Sequence, residues 1–126
     1  MNQDEFIKQL RVELNNSQLM FNEHNVCRLI IDNSTIIDLE WLENNILYFY
    51  AEIGHSQHLS KEELIILLEA NAFGQGVGKA SIAIDNQQVL LQQSLSTLEL
   101  SFVAFIDELE PFITHAIGWK NQLLIS

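Results

Sequence analysis

The sequence predicts an α+β fold: a five-stranded antiparallel sheet with helices packed on it. Three observations predict it. Strand-like runs follow one another across short turn signals, which implies hairpins rather than crossovers. Helical periodicity occurs at both ends of the chain and once in between, giving the order α-β-β-β-α-β-β-α. One proline, no internal repeat and no linker-like stretch in 126 residues make 1–126 a single domain.

The first element, "NQDEFIKQLRVEL", spaces Phe6, Leu10 and Leu14 four apart with Ile7 beside them, and puts Asp4 and Glu5 early, where the helix dipole favours them. This helix ends near "NNS". "VCRLIID" is rich in β-branched residues and stops at the turn signal "DNS". "TIIDLEWLE" alternates, with Ile37, Leu39 and Trp41 on one face and Asp38 and Glu40 on the other. "ILYFYAEI", after "ENN", is apolar and aromatic on both faces.

"SKEEL" starts the second helix with a capping box, Ser60 and Glu63 being three apart, and Leu64, Leu67, Leu68 and Asn71 share one face. "KASIAID" and "QVLLQQSL" form another hairpin about "DNQ". The last helical pattern begins at Thr97 and carries Phe102, Ile106, Leu109, Ile113, Ala116 and Leu123 as its inner stripe. Pro111 is expected to kink or split it, because an interior proline loses one hydrogen bond and clashes one turn back.

The formal net charge is -11 with only 6 Lys and Arg, which argues against nucleic acid as a partner, since clustered positive charge supplies most of that affinity. An acidic surface serves solubility, or suits a basic or amphipathic partner. The single Cys27 has no internal disulfide partner, which fits a reducing compartment. The opening "MNQDEFIKQL" lacks a basic and an apolar signal region, and no apolar run approaches the roughly 20 residues that cross a bilayer. A cytoplasmic protein without membrane insertion is the expectation.

"NAFGQGVGKASIAID", Asn71 to Asp85, has the look of a phosphate loop. A Walker A motif ending in Gly78-Lys79 needs glycine where Phe73 stands and a hydroxyl where Ala80 stands. The spacing of Gly74, Gly76 and Gly78 also misses the dinucleotide pattern. Phosphate loops run from a strand into a helix N-terminus, whereas this loop leaves a helix and enters a strand. Gly74 is read as a left-handed C-cap, with Gly76 and Gly78 allowing tight re-entry.

His55 and His58 in "HSQH" fall in a loop without a third ligand, and His24 and His115 have no assignable partner, so neither a metal site nor a cofactor is expected. The 17 carboxylates are scattered along polar faces. Without a convergent histidine, serine or metal motif they assemble no acid–base machinery, so no catalytic residue and no enzyme is expected. Apolar residues are abundant in "LMF", "VCRLII", "ILYFYAEI" and "ELIILLEANAF". They build either a dense core or apolar surfaces for a dimer and a protein-binding groove.

From Leu64 to Leu123 a leucine-rich helix ends in Asn71 and a glycine-containing loop follows, then a strand ending at Asp85, an apolar strand ending near Leu95, and a helix bearing Phe102, Phe105, Phe112, Ala116 and Trp119. This succession resembles the class I type III secretion chaperones, the Tir-chaperone (CesT-like) family. The first half matches in the order and length of its elements, and Pro111 departs from the unbroken last helix the resemblance implies. The resemblance implies a small acidic homodimer without catalytic activity. It would bind the N-terminal segment of a secreted effector, extended and non-globular, and keep it soluble and competent for secretion. The resemblance places the dimer contact at Leu64, Leu67, Leu68, Ile82 and Ile84. It places the effector in grooves at Phe6, Leu10, Leu29, Ile31, Ile37 and Leu39. The alternatives are a regulator of the same fold that sequesters a transcriptional anti-activator, and a small ligand-binding α+β domain.

Overall fold

The computed structural model describes residues 1–32, 34–72 and 75–125. Helix α1 spans Gln3–Glu13, and Asn2 caps it by accepting from the Glu5 amide at 2.8 Å. Strands β1 (Val26–Ile31), β2 (Thr35–Leu42) and β3 (Ile46–His55) follow as a meander, then a single 3-10 turn at Ser56–His58. Helix α2 (Lys61–Ala70) begins at the expected capping box: the Glu63 amide donates to Ser60 Oγ and the Ser60 amide to the Glu63 carboxylate. Strands β4 (Ser81–Asp85) and β5 (Gln88–Ser96) form a hairpin, and α3 (Phe102–Ile125) closes the chain.

The expected element order is therefore present, and every strand pairing is antiparallel, in the order β1-β2-β3-β5-β4. The β4–β5 hairpin folds back so that β5, not β4, lies beside β3. That leaves β1 and β4 as the two edges. Left-handed residues make the turns tight: Asn45 enters β3, and Asn86 and Gln87, both at positive φ, join β4 to β5.

Alternation decides what each strand buries. Cys27 and Leu29 of β1, Ile37 and Leu39 of β2, Leu47, Phe49, Ala51 and Ile53 of β3, and Val89 and Leu91 of β5 all face the helices and are buried. From the helices, Phe6 and Leu10 of α1 and Phe105, Leu109, Phe112 and Ala116 of α3 complete the core. Edge-to-face ring contacts tie α1 to α3 and α3 to the sheet: Phe6 meets Phe105, and Phe112 meets Phe49, each at 4.8 Å between centroids.

Three expectations about the elements change. The last helix does not begin at Thr97. β5 runs to Ser96, and Ser101 caps the helix by accepting from the Ala104 amide at 3.1 Å. Its inner stripe is Phe105, Leu109, Phe112 and Ala116, whereas Phe102, Ile106, Ile113 and Leu123 sit half-buried on the flanks. Nor does Pro111 split the helix. It lies exposed, so the backbone bond it forfeits is on the solvent side while Leu109 and Phe112 hold the other side to the sheet. On β3, apolar and aromatic on both faces, Tyr48 and Tyr50 point away from the helices and are half-exposed.

Candidate functional site

The glycine loop is a joint between α2, β4 and α3. At the end of α2 the Asn71 side chain binds the Ile82 backbone through both of its polar atoms, fastening the helix end to the edge strand. A Cβ on Gly76 would meet the Ala70 Cβ at 2.7 Å and Trp119 at 3.1 Å, so only glycine permits this approach. The Trp119 indole donates to the Gly76 carbonyl at 2.8 Å, pinning the loop to α3. Gly78 has φ +63, a left-handed conformation. Gly74, expected as the helix C-cap, lies outside the described residues. Lys79 donates to Glu108 at 2.8 Å, and Gln93 donates to the other Glu108 oxygen at 2.9 Å. The Lys79 hydrogen bond, reinforced by that of Gln93, holds the Glu108 carboxyl below its ordinary range. The lysine that suggested a phosphate loop is thus committed to a carboxylate.

The resemblance-based dimer residues separate by depth. Leu67 is buried beneath α2, and Leu64 and Ile82 are half-buried, while Leu68 is 70% and Ile84 54% exposed. Ile65 and Ile66, which sequence reasoning passed over, add two more exposed aliphatic side chains to α2. The signal for them was visible: a helix of ten residues with six aliphatic ones has too many for a single inner stripe.

The six residues expected in an effector groove are placed differently from a contact surface. Phe6, Leu10, Leu29, Ile37 and Leu39 are sealed in the core, and Ile31 is half-buried. Period-two alternation turns these strand positions inward, so they set the positions of their outward neighbours Ile30 and Ile36, a cross-strand pair, both exposed. Beside α1 the exposed apolar residues are Val12, Leu14 and Met20, of which Val12 is 82% exposed. The Arg11 guanidinium donates to the Leu19 carbonyl at 2.7 Å, folding this loop back on the helix end.

The helix-free face of the sheet carries its own organised set. The Arg28 guanidinium lies across β1–β2 and grips Asp38 in two bonds, 2.9 and 3.1 Å. Asp38 is opposite Tyr50, and Glu40 opposite Tyr48. The two tyrosine rings lie 5.1 Å apart, and the Tyr48 hydroxyl donates to the Gln92 side chain on β5. Burial raises both phenols above their usual range, with Glu40 adding to it at Tyr48, and Asp38 ahead of Glu40 at Tyr50. A cleft of about 820 Å³ opens beside them, lined in part by Ile36, Tyr50, Glu52 and Leu90, with His55 and His58 at one end. The two imidazoles pair at 5.1 Å, but among the described residues no group of three His, Cys, Asp or Glu side chains could hold a metal. Neither the tyrosine pair nor the Arg28–Asp38 bond was anticipated from sequence, although the alternation of β3 contained the signal. Among the described residues, no helix is long and apolar enough to cross a membrane.

Comparison with known proteins gives a consistent answer. No curated protein matches the sequence. Among solved structures, a chain of the ExsC–ExsE complex superposes with a TM-score of 0.81 at 18% identity, covering 95% of this chain and 92% of that one. A chain of the HopA1–SchA chaperone–effector complex follows at 0.72 and 19%, covering 96% and 98%. The Yersinia pestis type III secretion chaperone SycH, bound to a stable fragment of YscM2, gives 0.70 and 20%, covering 91% and 97%. At these identities the likeness establishes the fold. The profile of the Tir chaperone protein (CesT) family matches residues 5–120, nearly the whole chain, and the chain belongs to that family.

Proposed function

We propose that this protein is a type III secretion chaperone. In this reading it binds the N-terminal segment of a secreted effector in the cytoplasm and holds it extended and soluble, without catalysing a reaction. The observation that carries this reading is the family profile spanning residues 5–120. The surface supports it: large aliphatic side chains stand in solvent on both sides of the monomer. Such patches on a protein of net charge -11 mark places where another chain is covered or covers.

The two sides receive different roles. The α2–β4 side, with Leu64, Leu68, Ile82 and Ile84 joined by Ile65, is the contact of a homodimer, and Leu67 is the buried anchor beneath it. The α1–β1–β2 side receives the effector. There Phe6, Leu10, Leu29, Ile31, Ile37 and Leu39 form the frame, and Val12, Leu14, Met20, Ile30 and Ile36 the contact surface. The free edge of β1 offers unpaired backbone groups to which an extended segment adds as a strand, so that main-chain bonds supply affinity independent of sequence. Ordering the captured chain costs several kcal/mol, about 2–5, which favours a long wrapped contact over a small one.

Co-expression with the product of the neighbouring reading frame, followed by affinity purification and light scattering, tests this. The expected result is a dimer carrying one secreted protein that is insoluble when expressed alone. A monomer that recovers no secreted protein overturns it, and recovery of a transcriptional regulator instead supports the regulatory alternative.

A further inference from the structure

We propose that the helix-free face of the sheet is a recognition site for a basic side chain, arginine above all, carried by an extended peptide segment. It would be received between the Tyr48–Tyr50 ring pair and the carboxylates of Glu40 and Glu52. The inference rests on the reading that this protein captures an extended partner segment, and it names the chemistry that the segment presents.

The first observation is the aromatic platform. Tyr48 and Tyr50 share one face of β3, their centroids 5.1 Å apart and their planes inclined by 33°. Both are half-exposed, and the bond from the Tyr48 hydroxyl to Gln92 holds that ring over β5. The pair is half-exposed, and the aromatic surface it leaves uncovered carries the negative quadrupole against which a planar cation stacks.

The second observation is the charge around this platform. Glu40 stands directly opposite Tyr48 on β2, and Glu52 follows Tyr50 two residues along β3, facing the same side. Among the described residues neither carboxylate is paired with a cation. Asp38, opposite Tyr50, is already occupied by Arg28 in a two-point bond. The face therefore holds one guanidinium of its own beside Tyr50 and has two free carboxylates for another. Lys120, the second cation on the adjoining cleft, is committed to the Ser34 carbonyl at the far side, with His55 and His58 at that end.

The third observation selects the occupant. Two copies meeting face to face here would bring Glu40 and Glu52 toward a face whose own guanidinium, Arg28, is already committed to Asp38. Nucleic acid is excluded by the same carboxylates. A peptide strand bearing an arginine meets complementary charge, and its neighbouring apolar side chains find Ile36 and Leu90, which flank Glu52 next along the cleft from Tyr50. Arginine is preferred to lysine because its flat fork stacks on a ring while bonding a carboxylate at its edge.

The test is a titration of the isotopically labelled full-length protein with a short peptide of alternating arginine and threonine. It is repeated with the same peptide carrying citrulline, which keeps the shape and removes the charge. The arginine peptide is expected to shift the resonances of Glu40, Tyr48, Tyr50 and Glu52 and to bind roughly tenfold more tightly than the citrulline peptide. The Glu40→Gln/Glu52→Gln protein, which keeps side-chain size, is expected to lose that discrimination. Tyr48→Leu/Tyr50→Leu is expected to weaken binding of the arginine peptide by roughly the same factor. Equal binding of the two peptides, or shifts confined to α1 and α2, overturns the proposal. If the wild-type protein co-purifies with a secreted partner while the peptides bind equally, this inference fails and the chaperone reading stands. If no partner is captured but the arginine peptide binds here with discrimination, the reading fails and the site stands.

Discussion

The Asn71 carboxamide is bonded both ways to the backbone of Ile82: Nδ2 donates to the Ile82 carbonyl at 3.0 Å, and Oδ1 accepts from the Ile82 amide at 2.6 Å. One side chain thereby does for an edge strand what a neighbouring strand's peptide group would do. It also fixes the end of α2 against β4, although α2 otherwise rests lightly on the sheet. The two elements that carry the proposed dimer surface are set relative to one another by this amide.

Asn71→Ala is expected to cost about 1–3 kcal/mol, because both partly buried backbone groups of Ile82 lose their partner. Urea denaturation measures this. Asn71→Asp retains an acceptor but not the donor, and is expected to fall between the two proteins. An Asn71→Ala protein as stable as wild type shows that the joint is held by apolar packing alone.

Leu67 and Leu68 are adjacent and are expected to behave oppositely. Leu67→Ala removes a buried side chain and is expected to cost about 2–5 kcal/mol. Leu68→Glu, at a position 70% exposed, is expected to leave monomer stability within about 0.5 kcal/mol of wild type. It is expected to shift the light-scattering mass from dimer to monomer. A dimer that survives Leu68→Glu and Ile65→Glu together moves the interface elsewhere.

Gly76→Ala inserts a methyl group 2.7 Å from the Ala70 Cβ and 3.1 Å from the Trp119 ring. Neither neighbour can yield freely: Ala70 is a buried helix residue, and Trp119 is fixed by its bond to the Gly76 carbonyl. A loss of about 1–3 kcal/mol is expected, as for overpacking elsewhere. Trp119 emission is the second readout, expected to shift to longer wavelength as the indole loosens.

Glu108 supplies a pH dependence with a definite sign. Lys79 and Gln93 hold its carboxyl below its ordinary value near 4.5. A depressed folded-state value means that the stabilisation is complete above the ordinary value and is lost as pH falls through the folded one. Glu108→Gln is therefore expected to be less stable than wild type at neutral pH. The gap is expected to narrow on acidification below about 4.5. Melting temperatures of both proteins across that range check it, and a constant gap contradicts it.

Much of the fold was legible because its signals are local. Ser60 and Glu63 cap α2 through atoms three residues apart, and the turn before β3 needs only a residue such as Asn45 that tolerates positive φ. Alternation in "TIIDLEWLE" correctly turned Ile37 and Leu39 inward. The same inward turning explains why they could not also be a contact surface, a conflict visible only once the helices lie over that face. The last helix was misjudged for a related reason. Its many apolar positions allow two neighbouring stripes, and it is the fit of Phe105 and Phe112 against Phe6 and Phe49 that selects one. Pro111, expected to kink or split the helix, does not split it, since a local rule knows nothing of which side faces water.

By itself the sequence determined the kinds of element and their order, the caps, the strand faces of β2 and the kinship of the chain, since each depends on residues near one another or on a run of matching positions. Only the tertiary structure decided that β5 lies between β3 and β4, that α2 keeps Leu67 and shows Leu68, and that Tyr48 and Tyr50 face open space beside unpaired carboxylates. The physical reason is that an amphipathic segment specifies a face but not its partner. Which of two apolar faces is covered, and which charges are left without a counterpart, is settled by packing between elements distant in the chain.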